Sequence, residues 1–192
     1  MTISSVLFVH GGREVGYNPV GRFDAPVLRM ELFRAALGRG LKKQGLALPR
    51  FRFSVQGWNE DGVSAIADLR RAIEALGIDD HSVILVGHSM GGRTSLRLAG
   101  HAAVAGVIGL APWCPEGEPL AEVSGKRLIL AHGTEDVTTL PGLSAELAER
   151  ARDAGANVTH TLVPGEGHAL LKRQGWWNQF ILDGVAELRA SD

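Results

Sequence analysis

Ser82-Val83-Ile84-Leu85-Val86-Gly87-His88-Ser89-Met90-Gly91 is the stretch on which the fold turns. Residues 82–86 read as a buried strand and residues 90–101 as a helix, with G-x-S-x-G at their junction. A strand-to-helix turn this sharp leaves room only for small neighbours around the serine backbone. It also raises the Ser89 hydroxyl over the helix N-terminus, where backbone N–H groups stabilise a developing oxyanion.

Outward from that junction the same alternation repeats. Strands are expected at 6–9, 51–56, 104–110, 127–131 and 158–163, in addition to 82–86. Helices are expected at about 25–44, 62–76, 142–154 and 169–189. Asp24 stands where an N-cap would, ahead of Met30, Phe33, Leu37 and Leu41 on one helical face. Val63, Ile66, Leu69, Ile73 and Leu76 have the same spacing. Residues 13–23 and 111–125 read as loops. Six strands with helices between them predict an α/β fold, a three-layer α/β/α sandwich on a mostly parallel sheet. Such sheets bind ligands beyond the carboxyl ends of their strands.

The 192 residues suit one domain over 1–192, and 45% hydrophobic content with a net charge of −1 argues against disorder. The same balance speaks against nucleic acid as a partner, which demands a basic surface. Residues 1–60 hold nine Lys/Arg against four Asp/Glu, which reads as a solvated helix face. The lone cysteine, Cys114, permits no internal disulfide and suggests a reducing, cytoplasmic setting. The start, Met1-Thr2-Ile3-Ser4-Ser5, lacks a basic segment and does not read as a signal peptide. The uncharged run at 102–113 is too short for the roughly 20 residues of a membrane span. No zinc-ligand spacing, phosphate-binding loop or dinucleotide fingerprint occurs, so neither metal nor cofactor is expected.

A serine is a weak nucleophile without a base. His168, in Pro164-Gly165-Glu166-Gly167-His168, follows the last strand on a loop and is the best placed of seven histidines. His10 and His132 precede glycines at strand ends and are expected to order turns, and His88 to point into the structure. His81, His101 and His160 read as surface or helix-end residues. An imidazole base needs an orienting carboxylate, and His132-Gly133-Thr134-Glu135-Asp136 offers two, Glu135 and Asp136. Met90, the residue after the nucleophile, supplies one oxyanion N–H. The second is expected from His10-Gly11-Gly12, and we assign it to Gly12, where a substrate oxygen approaches most closely. Trp58 and Trp113 follow strands and are candidates for the pocket wall, although core packing is an equal expectation. Arg13 is a candidate for a polar or anionic substrate group, as is Tyr17, with surface placement the default for both. Trp176 and Trp177 cannot share a helix face, so one of them is a candidate for an exposed contact.

These four segments resemble the α/β-hydrolase superfamily over nearly the whole chain. The resemblance implies the order Ser89, Asp136, His168 for nucleophile, acid and base, and places the acid at Asp136 rather than Glu135. Within the superfamily the chain looks most like small bacterial esterases related to dienelactone hydrolases, with Ala111-Pro112-Trp113-Cys114-Pro115 contributing. Dienelactone hydrolases proper use a cysteine nucleophile, so their substrate does not carry over. Only nine residues precede His10, where the family usually has two further strands, and 111–125 is too short for a helical lid. The expected activity is cofactor-free hydrolysis of small soluble carboxylic esters. Thioester hydrolysis or a lyase-type reaction on the same residues is the alternative. A binding protein that keeps the pocket without catalysis is the third reading.

Overall fold

The computed structural model describes residues 3–77 and 82–190, which leaves His81, Met1 and Thr2 outside the described residues. Apolar residues alternate along each central strand and feed two separate cores, and this alternation organises the molecule. The strands are β1 (Ser5–Val9), β2 (Val83–His88), β3 (Val104–Leu110), β4 (Arg127–Gly133) and β5 (Asn157–Val163). They form one parallel sheet in the order β1-β2-β3-β4-β5. The helices are α1 (Ala25–Lys43), α2 (Asn59–Glu74), α3 (Met90–Arg97), α4 (Pro141–Asp153) and α5 (Gln174–Ala190).

On one face Leu7, Leu85, Val107 and Leu130 meet Leu69 and Ile73 of α2, Leu96 of α3 and Leu147 and Ala151 of α4. On the other, Phe8, Ile84, Ile108 and Ile129 meet Met30, Phe33, Leu37 and Leu41 of α1 and Trp177, Ile181 and Val185 of α5. Each strand residue feeds the layer opposite to its neighbour's, as the period-two geometry of a strand requires. The three-layer sandwich expected from the sequence is present.

The sheet has five strands among the described residues, not six, because residues 51–56 do not pair as a strand. The chain from 47 to 57 runs beside β1 and the loop after it, with isolated bridges and no ladder. Ala47 exchanges backbone bonds with Ser4 and Val6, and Arg13 N–H donates to Gln56 O at 2.8 Å. Between these points the Phe53 N–H donates to the His10 ring, at 3.1 Å from Nε2. The imidazole takes the place of the strand, and Phe51 and Phe53 pack on it and on each other.

Three element ends also differ. Asp24 sits at the start of α1, but its carboxylate accepts from Gly21 N–H and Gln56 Nε2 instead of capping the helix. Residues 59–62 all have positive φ, so the regular part of α2 begins where the spacing predicted, after Gly62 at φ +76°. A Cβ at Gly62 would also strike the Trp58 ring. The last helix starts at Gln174, not 169, because the buried Glu166 carboxylate accepts from Arg173 N–H and from Trp177 Nε1 and turns the chain there. Trp177 is wholly buried, and Trp176 is half-buried and stacks on Phe180. Residues 111–125 join β3 to β4 without a helix. No helix among the described residues is long and apolar enough to cross a membrane.

Candidate active site

Ser89 stands at the end of β2, as N-cap of α3, with φ 55° and ψ −120°. A non-glycine residue rarely adopts this conformation, and it persists only where the surroundings force it. Here the force is close packing. A Cβ at Gly87 would collide with the Gly91 carbonyl and the Ser95 hydroxyl, and one at Gly91 would collide with the backbone of Val9 and His10. The turn can therefore press against α3 and β1 only with glycine at both places.

The loops after β2, β4 and β5 bring three predicted residues into one hydrogen-bonded line. The Ser89 Oγ lies 3.0 Å from His168 Nε2. The His168 Nδ1 lies 2.7 Å from Asp136 Oδ2 and 3.0 Å from Thr139 Oγ1. The other oxygen of Asp136 accepts from the N–H groups of Thr138 and Thr139 at 2.8 and 3.0 Å. Burial pushes the Asp136 carboxyl upward, but hydrogen bonds from His132, His168 and the Thr139 N–H outweigh it and hold it well below the usual carboxylate range. The rival Glu135 is exposed and pairs with Lys172 at 2.7 Å. The arrangement provides an anionic, fully hydrogen-bonded orienter behind an imidazole that faces a hydroxyl.

Gly12 lies against the Met90 side chain, so the two expected oxyanion residues are neighbours across the β1 and β2 ends. The loop after Gly12 is tied down by Arg13 N–H to Gln56 O and by Trp58 N–H to Arg13 O at 2.9 Å. Arg13 is exposed and, with Gly11, Gly12, Asp24 and Gln56, lines a cavity of about 200 Å³. Tyr17 is 65% exposed. Trp58 and Trp113 stand beside one another, with ring centroids 6.1 Å apart. They clamp the Arg93 guanidinium at 4.0 and 4.5 Å from their ring centroids, and Trp58 is buried. An arginine one turn into α3 attracts both indoles, a contact that strand-end position alone does not reveal.

Three buried side chains around the line were not candidates for the site in the sequence. His88 points inward as expected, and its Nε2–H donates to the His168 carbonyl at 2.9 Å, fixing the backbone of that loop. Burial above all, with His168 and Arg29 nearby, drives its pKa well below the ordinary value, so this ring is neutral. Glu166 holds the same loop from the other side through the bonds that start α5. His132 does more than order a turn. Its Nε2 lies 3.1 Å from Asp136 Oδ2, with both side chains wholly buried. Its position four residues before Asp136 was the available signal. Burial also pushes the Cys114 thiol up to about 12, reinforced by Glu118, which leaves it protonated. No group of three or more His, Cys, Asp or Glu among the described residues is arranged to hold a metal ion.

A sequence profile described as "Alpha/beta hydrolase family" matches residues 6–127. No curated protein matches the chain by sequence. Among solved structures it is similar to MGS-M1, an alpha/beta hydrolase enzyme from a Medee basin deep-sea metagenome library. That likeness has 16% identity and a TM-score of 0.71 over 98% of this chain and 86% of that one. Est1E from Butyrivibrio proteoclasticus is similar at 12% identity and a TM-score of 0.67, over 98% of this chain and 89% of the other. The Bacillus cereus carboxylesterase is similar at 22% identity and a TM-score of 0.57, over 92% and 88%. At these identities the likeness is one of fold.

Proposed function

Because the chain belongs to the alpha/beta hydrolase family, matched over residues 6–127, we propose that it is a serine hydrolase of small carboxylic esters. The observation that carries this reading is the line from Ser89 Oγ through His168 to Asp136, at 3.0 and 2.7 Å. These are hydrogen-bond distances for a nucleophile, a base and its orienter.

In this reading His168 Nε2 takes the Ser89 proton as Oγ attacks the ester carbonyl. The carbonyl π pair moves to its oxygen, and the N–H groups of Gly12 and Met90 stabilise that oxyanion. Asp136 holds the Nδ1–H tautomer and balances the imidazolium. The tetrahedral centre collapses, the alkoxide leaves with the proton from His168, and an acyl-Ser89 remains. A water molecule then repeats the sequence and releases the carboxylic acid. Arg13, at the rim of the cavity beside Gly12, is the candidate for a polar group on the substrate. The sixteen residues between β3 and β4 form no helical cover, which favours small soluble substrates over long acyl chains.

Intact mass after incubation with a fluorophosphonate tests the reading. A single adduct on the wild type, absent from Ser89→Ala, is expected. A folded wild type that takes no adduct overturns it and favours the binding-protein reading. Rates on matched oxygen esters and thioesters then separate esterase from thioesterase.

A further inference from the structure

Behind Asp136 the hydrogen bonding does not stop. His132 Nε2 lies 2.7 Å from the Thr139 carbonyl as well as 3.1 Å from Asp136 Oδ2. On the far side of the ring, Nδ1 lies 2.8 Å from the Ser144 Oγ of α4. Ser144 Oγ is in turn 3.0 Å from His160 Nε2 on β5 and 2.9 Å from the Pro141 carbonyl. His132 and Ser144 are wholly buried, and His160 is half-buried.

Resting on the serine-hydrolase reading above, we infer that His132 is a positioning residue for the Asp136–His168 pair, held in one tautomer by Ser144 and His160. With both rings neutral, donors and acceptors match in one direction along this line. Nε2 faces two acceptors, a carbonyl and a carboxylate, so it carries the proton. Nδ1 then has a lone pair to satisfy, and the Ser144 hydroxyl, between Nδ1 at 2.8 Å and the Pro141 carbonyl at 2.9 Å, gives its one proton to the Nδ1 lone pair, which has no other partner. The Ser144 oxygen is left to accept, and His160 Nε2–H donates to it. The chain runs His160, Ser144, His132, Asp136, with every proton pointing toward the carboxylate. His168 donates into the same carboxylate from the other side.

The consequence is electrostatic. Asp136 Oδ2 serves three donors: His168 Nδ1 at 2.7 Å, Thr139 Oγ1 at 2.9 Å and His132 Nε2 at 3.1 Å. A carboxylate whose charge is shared among fixed donors cannot rotate, and it attracts the protonated form of His168 less than a bare one would. Removal of the His132 donor returns charge to the His168 bond. Protonated His168 gains, and the free base needed for attack is available only at higher pH. The charged and titratable groups along this line are Asp136, His168 and His88 at its inner end, with His160, Glu149 and Arg152 at its outer end. A merely structural His132, pinning the loop through the Thr139 carbonyl, would change stability and leave the pH dependence alone.

The test is hydrolysis of p-nitrophenyl acetate by the full chain across pH, with thermal unfolding as the folding control. Three variants are compared with wild type: His132→Leu, His132→Gln and Ser144→Ala. For His132→Leu, kcat falls roughly tenfold at unchanged KM, and the acid limb of kcat/KM moves about half a unit to higher pH. For His132→Gln, an amide N–H near the Nε2 position restores most of both. Ser144→Ala shifts the limb in the same direction by less, and decides the matter if His132→Leu does not fold. Folded variants whose acid limb stays at the wild-type pH overturn the inference, even if kcat drops, as does a Gln variant no better than Leu. Wild type without Ser89-dependent turnover overturns the hydrolase reading itself, and the role of His132 with it.

Discussion

Two buried polar clusters stand one helical turn apart on α3, and they end differently. Ser89, at its N-cap, opens a line through His168 to Asp136 and stays within reach of solvent. Arg93, whose N–H donates to the Ser89 carbonyl, closes on itself. Its guanidinium lies between Trp58 and Trp113 and pairs with Glu118 at 2.5 Å, while Arg97 reaches the same carboxylate at 2.6 Å. Both clusters are rich in residues that suggest chemistry. What separates them is whether a reactive atom remains at the end of the network. In the first, the line ends at a hydroxyl that faces an imidazole. In the second, charge meets charge and ring meets cation, which locks the 111–125 segment onto α3.

The contrast breaks most easily at Ser89. Ser89→Ala is expected to lower kcat on p-nitrophenyl acetate by roughly 10⁴–10⁶ while leaving the unfolding temperature nearly unchanged. Turnover at the wild-type rate would move the nucleophile elsewhere. Asp136→Asn comes next, with a loss of about 10⁴ in kcat, because an amide in that place favours the wrong imidazole tautomer. Glu135→Gln, its sequence neighbour, is expected to leave the rate within about twofold, since its ion pair is exposed.

The Arg93 cluster has the opposite signature. Arg93→Met strips Glu118 of a buried partner, and chemical denaturation is expected to show a loss of about 3 kcal/mol. Ester turnover of the folded fraction should fall less than tenfold. A larger effect on rate than on stability would merge the two clusters into one functional unit.

The smallest expected effect is a pH dependence of stability. His88, His10 and His160 all have pKa values lowered from the ordinary 6.5, chiefly by burial. Below about pH 6.5 the unfolded chain takes up protons that these folded rings refuse, so stability falls as pH falls. Above that range the three contribute no slope. Asp136, held low, stays charged when folded and adds its own loss only below about pH 4. Thermal unfolding from pH 8 to 5 checks this, and a flat profile would mean that these rings protonate freely in place.

Much of the site was legible because its residues sit at fixed offsets from strand ends. Gly87-His88-Ser89-Met90-Gly91 and Pro164-Gly165-Glu166-Gly167-His168 each lie at or just beyond the end of a strand, β2 and β5, as the sequence predicts. The misreadings share a different cause. Residues 51–56 have strand composition, yet a side chain from His10 occupies their ladder. His132 has turn context, yet α4 and β5 deliver Ser144 and His160 to it. In each case the deciding partner is distant in sequence.

The sequence by itself determined the alternation of buried strands and amphipathic helices. It also determined the glycines that let Ser89 turn so sharply, and the order of the loops that carry Ser89, Asp136 and His168. These follow from local periodicity and from backbone sterics, which neighbouring residues specify. Only the tertiary structure decided that His132 stands behind Asp136 and that both tryptophans clamp Arg93. Hydrogen bonds and cation–π contacts act over about 3 to 5 Å, and only folding brings such partners within that range.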